Sequence, residues 1–214
     1  MEYPKIETLY NRDTQTFKVI PGELRLPEFA LVTEWLVTEK IDGTNIRILL
    51  DSDGTVQFRG KTDAAQIPPF LLDRLAEIFP AERVAAAFDP ETYAVLFGEG
   101  YGAKIQKGGG NYCEGQSFRL FDVAVMGEDR VWWLNWADVE DVARKLGIHT
   151  VPVIARGISL ETAVWRLRYG LESLVARDER GALHPAEGIV ARTEPLLFTR
   201  RGDRLMWKLK TKDF

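Results

Sequence analysis

Along most of this chain apolar residues either alternate with polar ones or gather in short runs, and only a few stretches carry the three-and-four spacing of a helix. Residues 30–38 and 46–50 are rich in β-branched and aliphatic side chains and read as strands. They flank Glu39-Lys40-Ile41-Asp42-Gly43-Thr44-Asn45, the stretch around which the chain is organised. Ahead of them, residues 3–13 read as an extended lead-in and residues 17–20 as a short strand closed by Pro21-Gly22. Asp51-Ser52-Asp53-Gly54 is a hairpin turn, with residues 55–59 returning as a strand. Pro68-Pro69 opens a helix over 70–79, Pro80 stops it, and 81–88 makes another turn or two. Strands follow at 93–102, 117–125 and 130–134, then an amphipathic helix at 136–146 capped by Gly147. Residues 151–154 suit an edge strand. Ser159 N-caps a helix over 160–169, a shorter helix covers 171–176, and 177–183 is a polar loop. Two strands, 186–192 and 204–212, finish the chain.

Polar residues interrupt these apolar runs at a few places, and each interruption has two readings. Lys40 is either the rim of an Asp-Gly hairpin or a buried amine. An unpaired ammonium is costly to bury, and a lysine kept among cations gives up its proton more readily, which is how lysine becomes a nucleophile. Arg59, in Arg59-Gly60-Lys61-Thr62, is a clamp for phosphates or a solvated strand end. Glu99 lies between Gly98 and Gly100 at the end of an apolar strand, which implies close approach to the backbone or a bend. The glycine-rich segment 104–112 lacks phosphate-loop spacing, and a mobile surface loop is the better account of it. Period two puts Phe121 and Val123 on one face of their strand, and Leu120, Asp122 and Ala124 on the other. Glu187 stands beside Gly188 at the head of an apolar run. Lys208, Lys210 and Lys212 alternate onto one face of the last strand, a pattern that solvated edge strands share. His184 is a loop residue.

Bulk properties narrow the function classes. A chain of 214 residues with no internal repeat and no linker reads as a single domain, 1–214. No apolar run approaches the ~20 residues of a membrane span, and the N-terminus has neither the basic start nor the apolar core of a signal peptide. One cysteine, Cys113, excludes an intrachain disulfide and fits a reducing, cytoplasmic setting. That cysteine and two histidines leave too few ligands for structural zinc. A net charge of −4 argues against general coating of nucleic acid but leaves room for a local basic groove.

Taken in order, Lys40, Asp42, Arg59, Glu99, Phe121, Asp122, Glu187, Lys208 and Lys210 each lie at or beside an apolar strand. A cleft between sheets that gathered them would suit a nucleoside triphosphate: carboxylates for Mg²⁺ or ribose, cations for phosphates, an aromatic face for the base. Their order and spacing resemble the covalent nucleotidyltransferase superfamily of ATP-dependent ligases and mRNA capping enzymes, most of all its RNA ligase 2 branch. The resemblance runs from about Tyr3 to the last residue. It implies an α+β fold, a nucleotidyltransferase (ATP-grasp-like ligase adenylation) domain of antiparallel sheets flanked by helices. It implies that Lys40 carries AMP, that Arg59 engages nucleic-acid ends, and that Glu99 contacts the ribose. Phe121 would stack on adenine beside Asp122, Glu187 would be tied to the metal, and Lys208 and Lys210 would reach the α-phosphate. Glu39, Asp42, Gly43 and Asn45 complete the implied nucleotide site.

The expected activity is ATP-dependent joining of 3′-hydroxyl and 5′-phosphate RNA ends through lysyl-AMP, with Mg²⁺ or Mn²⁺, on RNA strands, nicked duplexes or RNA/DNA hybrids. DNA joining, GTP-dependent capping-type transfer and an inactive nucleotide- or RNA-binding module are the alternatives. Position 42 is Asp, as in DNA ligases and capping enzymes, where the best-known RNA ligase 2 members have His. The following OB or helical domain of such enzymes is not expected here, so that nick recognition would fall to a partner, to dimerisation or to the core alone.

Overall fold

The β-branched runs form twelve strands and the periodic runs five helices in a computed structural model that describes all residues, Met1–Phe214. The strands are β1 (Glu7–Thr8), β2 (Tyr10–Arg12), β3 (Val19–Leu24), β4 (Trp35–Lys40), β5 (Thr44–Leu50), β6 (Val56–Arg59), β7 (Tyr93–Gly102), β8 (Gln116–Met126), β9 (Val131–Trp133), β10 (Val153–Ile158), β11 (Gly188–Arg192) and β12 (Met206–Lys210). The helices are α1 (Pro69–Ile78), α2 (Ala81–Ala85), α3 (Trp136–Leu146), α4 (Leu160–Arg168) and α5 (Leu174–Arg180). They are divided between two units. One comprises Met1–Pro4 and Asp42–Val151, the other Lys5–Ile41 and Pro152–Phe214.

In the second unit, which carries Lys40, the sheet order is β1-β12-β11-β4-β10. All pairings are antiparallel except the two-residue parallel bridge of β1 with β12. Alternation turns Trp35 and Val37 of β4 to the same face as Ile189 and Ala191 of β11 and Trp207 and Leu209 of β12. Ala163, Val164 and Leu167 of α4 cover that face, with Leu9, Tyr10, Val19 and Phe29. The Trp35 and Trp207 rings meet edge to face, centroids 5.7 Å apart. Serine hydroxyls start both helices: Ser159 accepts the Thr162 N–H and Ser173 the Ala176 N–H.

In the first unit, which carries Glu99, the antiparallel order is β6-β5-β7-β8-β9. Helix α1 turns Leu71 and Leu75 inward and packs on β8, with Leu71 and Ile46 both reaching over the bare Gly100 of β7; α3 packs on β8 with Val139, Val142 and Leu146 buried. The opposite face holds Val95, Phe97 and Ala124 with Tyr3, Phe121 and Trp133.

The structure corrects several expectations. β3 runs on through Pro21-Gly22 instead of ending there. The lead-in contributes β1 and β2. α5 begins three residues later than its periodicity indicates, because Ser173 and not Leu171 can cap it. The final strand stops at Lys210, and Thr211–Asp213 forms a 3₁₀ turn, so Lys212 leaves the lysine face. β12 is no open edge, since β1 lies against it. In β8 the register jumps from Phe97↔Asp122 to Gly98↔Leu120. This bulge at Phe121 breaks the period of two and brings Phe121 and Asp122 to the face of Ala124, leaving Val123 on the other.

Candidate functional site

Lys40 closes β4 on the face opposite the tryptophan core. Register across three strands makes one row of Lys40, Gly188 and Lys210, and the next row on that face is Thr38, Val190 and Lys208, with Thr8 beyond. The middle of the first row is bare because no side chain fits there: a Cβ on Gly188 would lie 2.2 Å from the Leu209 carbonyl oxygen. Into that gap comes Glu187, one residue before β11. Its Oε2 lies 2.5 Å from Lys40 Nζ and its Oε1 2.5 Å from Lys210 Nζ. The Thr211 N–H donates to the Glu187 carbonyl and the Thr211 hydroxyl to that of Ala186, which fixes the backbone presenting the carboxylate. The three side chains are 22%, 14% and 30% exposed for Lys40, Glu187 and Lys210, so solvent screens them only in part. One carboxylate shared between two ammonium groups, with Lys208 on the same face, leaves a surplus of positive charge suited to phosphate oxygens.

Glu39 points the other way. It is 2% exposed and accepts hydrogen bonds from the Ser173 hydroxyl (2.5 Å) and from the N–H groups of Leu174 (2.8 Å) and Val175 (3.2 Å). The carboxylate thus caps α5 at its positive end and anchors the residue next to the lysine.

The other unit holds a second group. Asn45, Glu99 and Arg119 form one row across β5, β7 and β8. The Asn45 Oδ1 atom is buried with no hydrogen-bond partner, an acceptor open to a ligand hydroxyl. Arg119, 5% exposed, donates from Nε to the Tyr101 hydroxyl at 3.2 Å. A Cβ on Gly43 would sit 2.3 Å from the Gly100 carbonyl oxygen and 2.8 Å from Glu99 Cγ, so strand β7 itself demands a glycine there. The glycine-rich segment is tied to the Asp42-Gly43 turn at two points: Tyr112 is buried and its hydroxyl accepts the Asp42 N–H at 3.3 Å, while Gln106 Nε2 donates to the Gly43 carbonyl at 3.1 Å.

Asp122 falls in the next row on the same face, with Arg47 and Phe97, and the remaining expected residues of this unit have partners of their own. Arg59 is exposed at the end of β6 and donates to Gln57. Its register partner Arg47, which the sequence reading passed over, is fully buried and donates to the carbonyls of Gly60 (2.7 Å) and Met1 (2.9 Å) and to Asp63 (2.8 Å). Phe121 packs edge-on against Tyr3 at 5.1 Å, and the Tyr3 hydroxyl donates to Asp122 at 2.7 Å. His184 is a loop residue whose carbonyl accepts the Ser173 N–H. Arg47, Arg119, Tyr112 and Ser173 were the unrecognised supports; only Ser173, as a helix-cap residue type, carried a local signal.

Comparison with known proteins adds to this geometry. The fold is similar to a Naegleria gruberi RNA ligase mutant with ATP and Mn, at TM-score 0.63 and 18% identity over 98% of this chain and 57% of that one. The same ligase with PPi gives TM-score 0.62 and 18% identity over 98% and 62%. A putative ATP-dependent DNA ligase from Aquifex aeolicus gives 0.60 and 19% over 97% and 49%. The chain therefore spans less than two-thirds of the length of these structures. No curated relative matches it. At such identities the likeness establishes the fold, the α+β arrangement of ligase adenylation domains. A model of the family described as RNA ligase matches residues 33–210, from just ahead of β4 to the last residue of β12. With both lysine-bearing strands inside the match, the chain belongs to the RNA ligase family.

Proposed function

We propose that the protein is an ATP-dependent RNA ligase in which Lys40 takes AMP from ATP and passes it to a 5′-phosphate end. The observation that carries this reading is the row Lys40, Gly188, Lys210 with Glu187 bridging both lysines. In the first step Lys40 Nζ attacks the α-phosphorus, an N–P bond forms, and the P–O bond to pyrophosphate breaks. The amine must be unprotonated to attack, and Glu187 Oε2 at 2.5 Å is the acceptor in place for its proton. Lys210 and Lys208 stabilise negative charge that grows on the α-phosphate and the leaving group. A 5′-phosphate oxygen then displaces Lys40 from AMP, and a 3′-hydroxyl displaces AMP to join the strands. Within the Glu99-bearing unit taken by itself, Asn45 and Glu99 are acceptors of the kind that suits sugar hydroxyls, and Arg59 is an exposed cation of the kind that suits a phosphate.

The donor set fits a divalent cation held jointly with phosphates. No group of three His, Cys, Asp or Glu side chains is placed to hold a metal unaided, whereas Mg²⁺ characteristically takes one or two carboxylates plus substrate phosphates. Glu187 would be that carboxylate. A bound ion would supply charge neutralisation on the transferred phosphoryl group. No helix is long and apolar enough to cross a membrane.

Incubation with α-labelled ATP and Mg²⁺, then with defined RNA and DNA nicks, tests the reading. The expected result is one adenylate per chain, absent in Lys40→Ala, with transfer to RNA. Undiminished labelling of that variant would overturn it. Asp42 and the similarity to the Aquifex fold favour a second reading, DNA joining, which the DNA nick arm separates.

A further inference from the structure

The Lys40 unit contains a cavity of about 710 Å³ that none of the chemistry above uses. Its floor is the tryptophan-side core, through Tyr10, Leu24, Phe29 and Val164, so it opens on the face of the sheet away from Lys40. One wall is α4. Along that helix Ala163, Val164 and Leu167 are buried, while Trp165, Arg166, Arg168 and Tyr169 at its C-terminal end are exposed. Trp165 and Tyr169 are 58% and 75% exposed, and their rings lie against each other with centroids 5.1 Å apart at 34°. Large aromatic rings left in water beside a cavity are unlike the single scattered apolar residues of an ordinary surface. The Arg168 guanidinium stands over the Phe214 ring at 5.1 Å, which fixes a cation at the same rim.

The polar lining selects among occupants. An apolar partner helix would leave Arg168 and Glu161 desolvated without matching groups. A free inorganic anion would ignore two aromatic rings. A nucleotide uses all three features: the base stacks on aromatic faces, the phosphate meets an arginine, and a carboxylate accepts a hydroxyl proton from the ribose. Glu161 is ready for that last part. Hydrogen bonds from its own backbone N–H and from Ser159 hold its carboxyl below the usual range, so it stays an acceptor. The Tyr10 hydroxyl lines the same cavity and is pushed above its ordinary range by burial and by the charge of Glu161, which keeps it a neutral donor.

We infer that the cavity walled by α4 is a second nucleic-acid site, which holds one nucleotide of a single-stranded RNA segment by stacking on Trp165 and Tyr169, with its phosphate on Arg168 and its 2′-hydroxyl on Glu161. The inference rests on the RNA ligase reading for its substrate class but not for its geometry. Placed on the far face of the sheet, such a site anchors a strand at a distance from the joined ends. It adds affinity for the strand and takes no part in adenylation.

The test uses the full chain, a fluorescent single-stranded RNA and a DNA of the same sequence, read by anisotropy without ATP, with self-adenylation and melting measured in parallel. Trp165→Ala with Tyr169→Ala should weaken RNA binding by on the order of tenfold or more, as loss of base stacking does. Arg168→Gln should weaken RNA and DNA alike, and Glu161→Ala should reduce the preference for RNA. Self-adenylation and melting should stay as in the parent, since these residues are exposed and remote from Lys40. Unchanged RNA affinity in the double aromatic variant overturns the inference. So does a changed oligomeric state with unchanged RNA affinity, which assigns the rings to a second copy of the chain. A parent protein that never self-adenylates yet loses RNA on these substitutions refutes the ligase reading and leaves this site standing.

Discussion

A methyl group at position 188 would lie 2.2 Å from the Leu209 carbonyl oxygen and 2.9 Å from the Lys210 Cα, closer than real Cβ contacts come. Both atoms belong to the backbone of β12, so nothing flexible can yield. Gly188→Ala must push β11 from β12 and separate Lys40 from Lys210. We expect a loss of about 1–3 kcal/mol in stability, the usual range for overpacking, and a larger fall in adenylation than the melting shift accounts for. Adenylation equal to the parent would show that the spacing of the row is immaterial. The lysines should behave differently. Lys208→Ala and Lys210→Ala are expected to slow adenylation on the order of 10²-fold or more with little change in melting, because both are partly exposed. Lys212→Ala, on the 3₁₀ turn, should be nearly silent. Equal rates for all three alanine variants would dismiss the lysine face. That Lys208 and Lys210 share a face is legible in the sequence, since strand periodicity needs only one segment. That Glu187 bridges Lys40 and Lys210 is not, since it depends on register between strands far apart in the chain.

At the level of the element, α5 and the turn after β6 show how apparent site residues act as scaffolding. Glu39 lies next to Lys40 yet spends its carboxylate on the first turn of α5. Glu39→Ala removes the acceptor for three donors, and the expected cost is about 2 kcal/mol, toward the upper end for a helix cap. Glu39→Gln should retain part of that. Chemical denaturation of both variants measures it, and equal midpoints for parent and Glu39→Ala would discard the cap. The turn after β6 is tied by Arg47 to Asp63, whose carboxyl is drawn below its ordinary range first by that hydrogen bond and then by the arginine's charge. A carboxyl with a lowered folded value stabilises the fold above the ordinary aspartate range. The contribution fades as pH falls through the lowered value. Asp63→Asn should therefore lower stability slightly at neutral pH, flatten the acid limb of a stability-versus-pH curve and converge on the parent at low pH; a parallel shift at all pH values would contradict this. Arg47 and Arg59 face each other across two strands and look alike in sequence. Only three-dimensional burial separates the tether from the exposed guanidinium. The bulge at Phe121 was illegible for a similar reason, because it is a property of two strands in register and leaves no mark on one.

For the molecule as a whole, the net charge of −4 works against polyanions, so under the proposed function contacts with nucleic acid would depend on local clusters such as Lys40, Lys208 and Lys210. Affinity for single-stranded RNA should accordingly fall with salt by a shallow slope, about −0.7 in log–log terms per phosphate neutralised, or roughly −2 to −3 for three or four contacts. A titration from low to moderate salt measures it, and a slope near zero would mean that charge takes no part. Strand pairing has a further bearing on how the protein comes into being. Lys40 and Glu187 are 147 residues apart in the chain, with the whole Asp42–Val151 unit threaded between them. Contacts of that separation are closed late and slowly in folding. A chain emerging from the ribosome can complete the Glu99-bearing unit long before β11 and β12 exist. Until those strands arrive, Lys40 hangs at the edge of an unfinished sheet without Glu187 or Lys210. Nascent and prematurely terminated chains should thus be inert toward ATP, and competence to self-label should appear only when synthesis has passed Lys210.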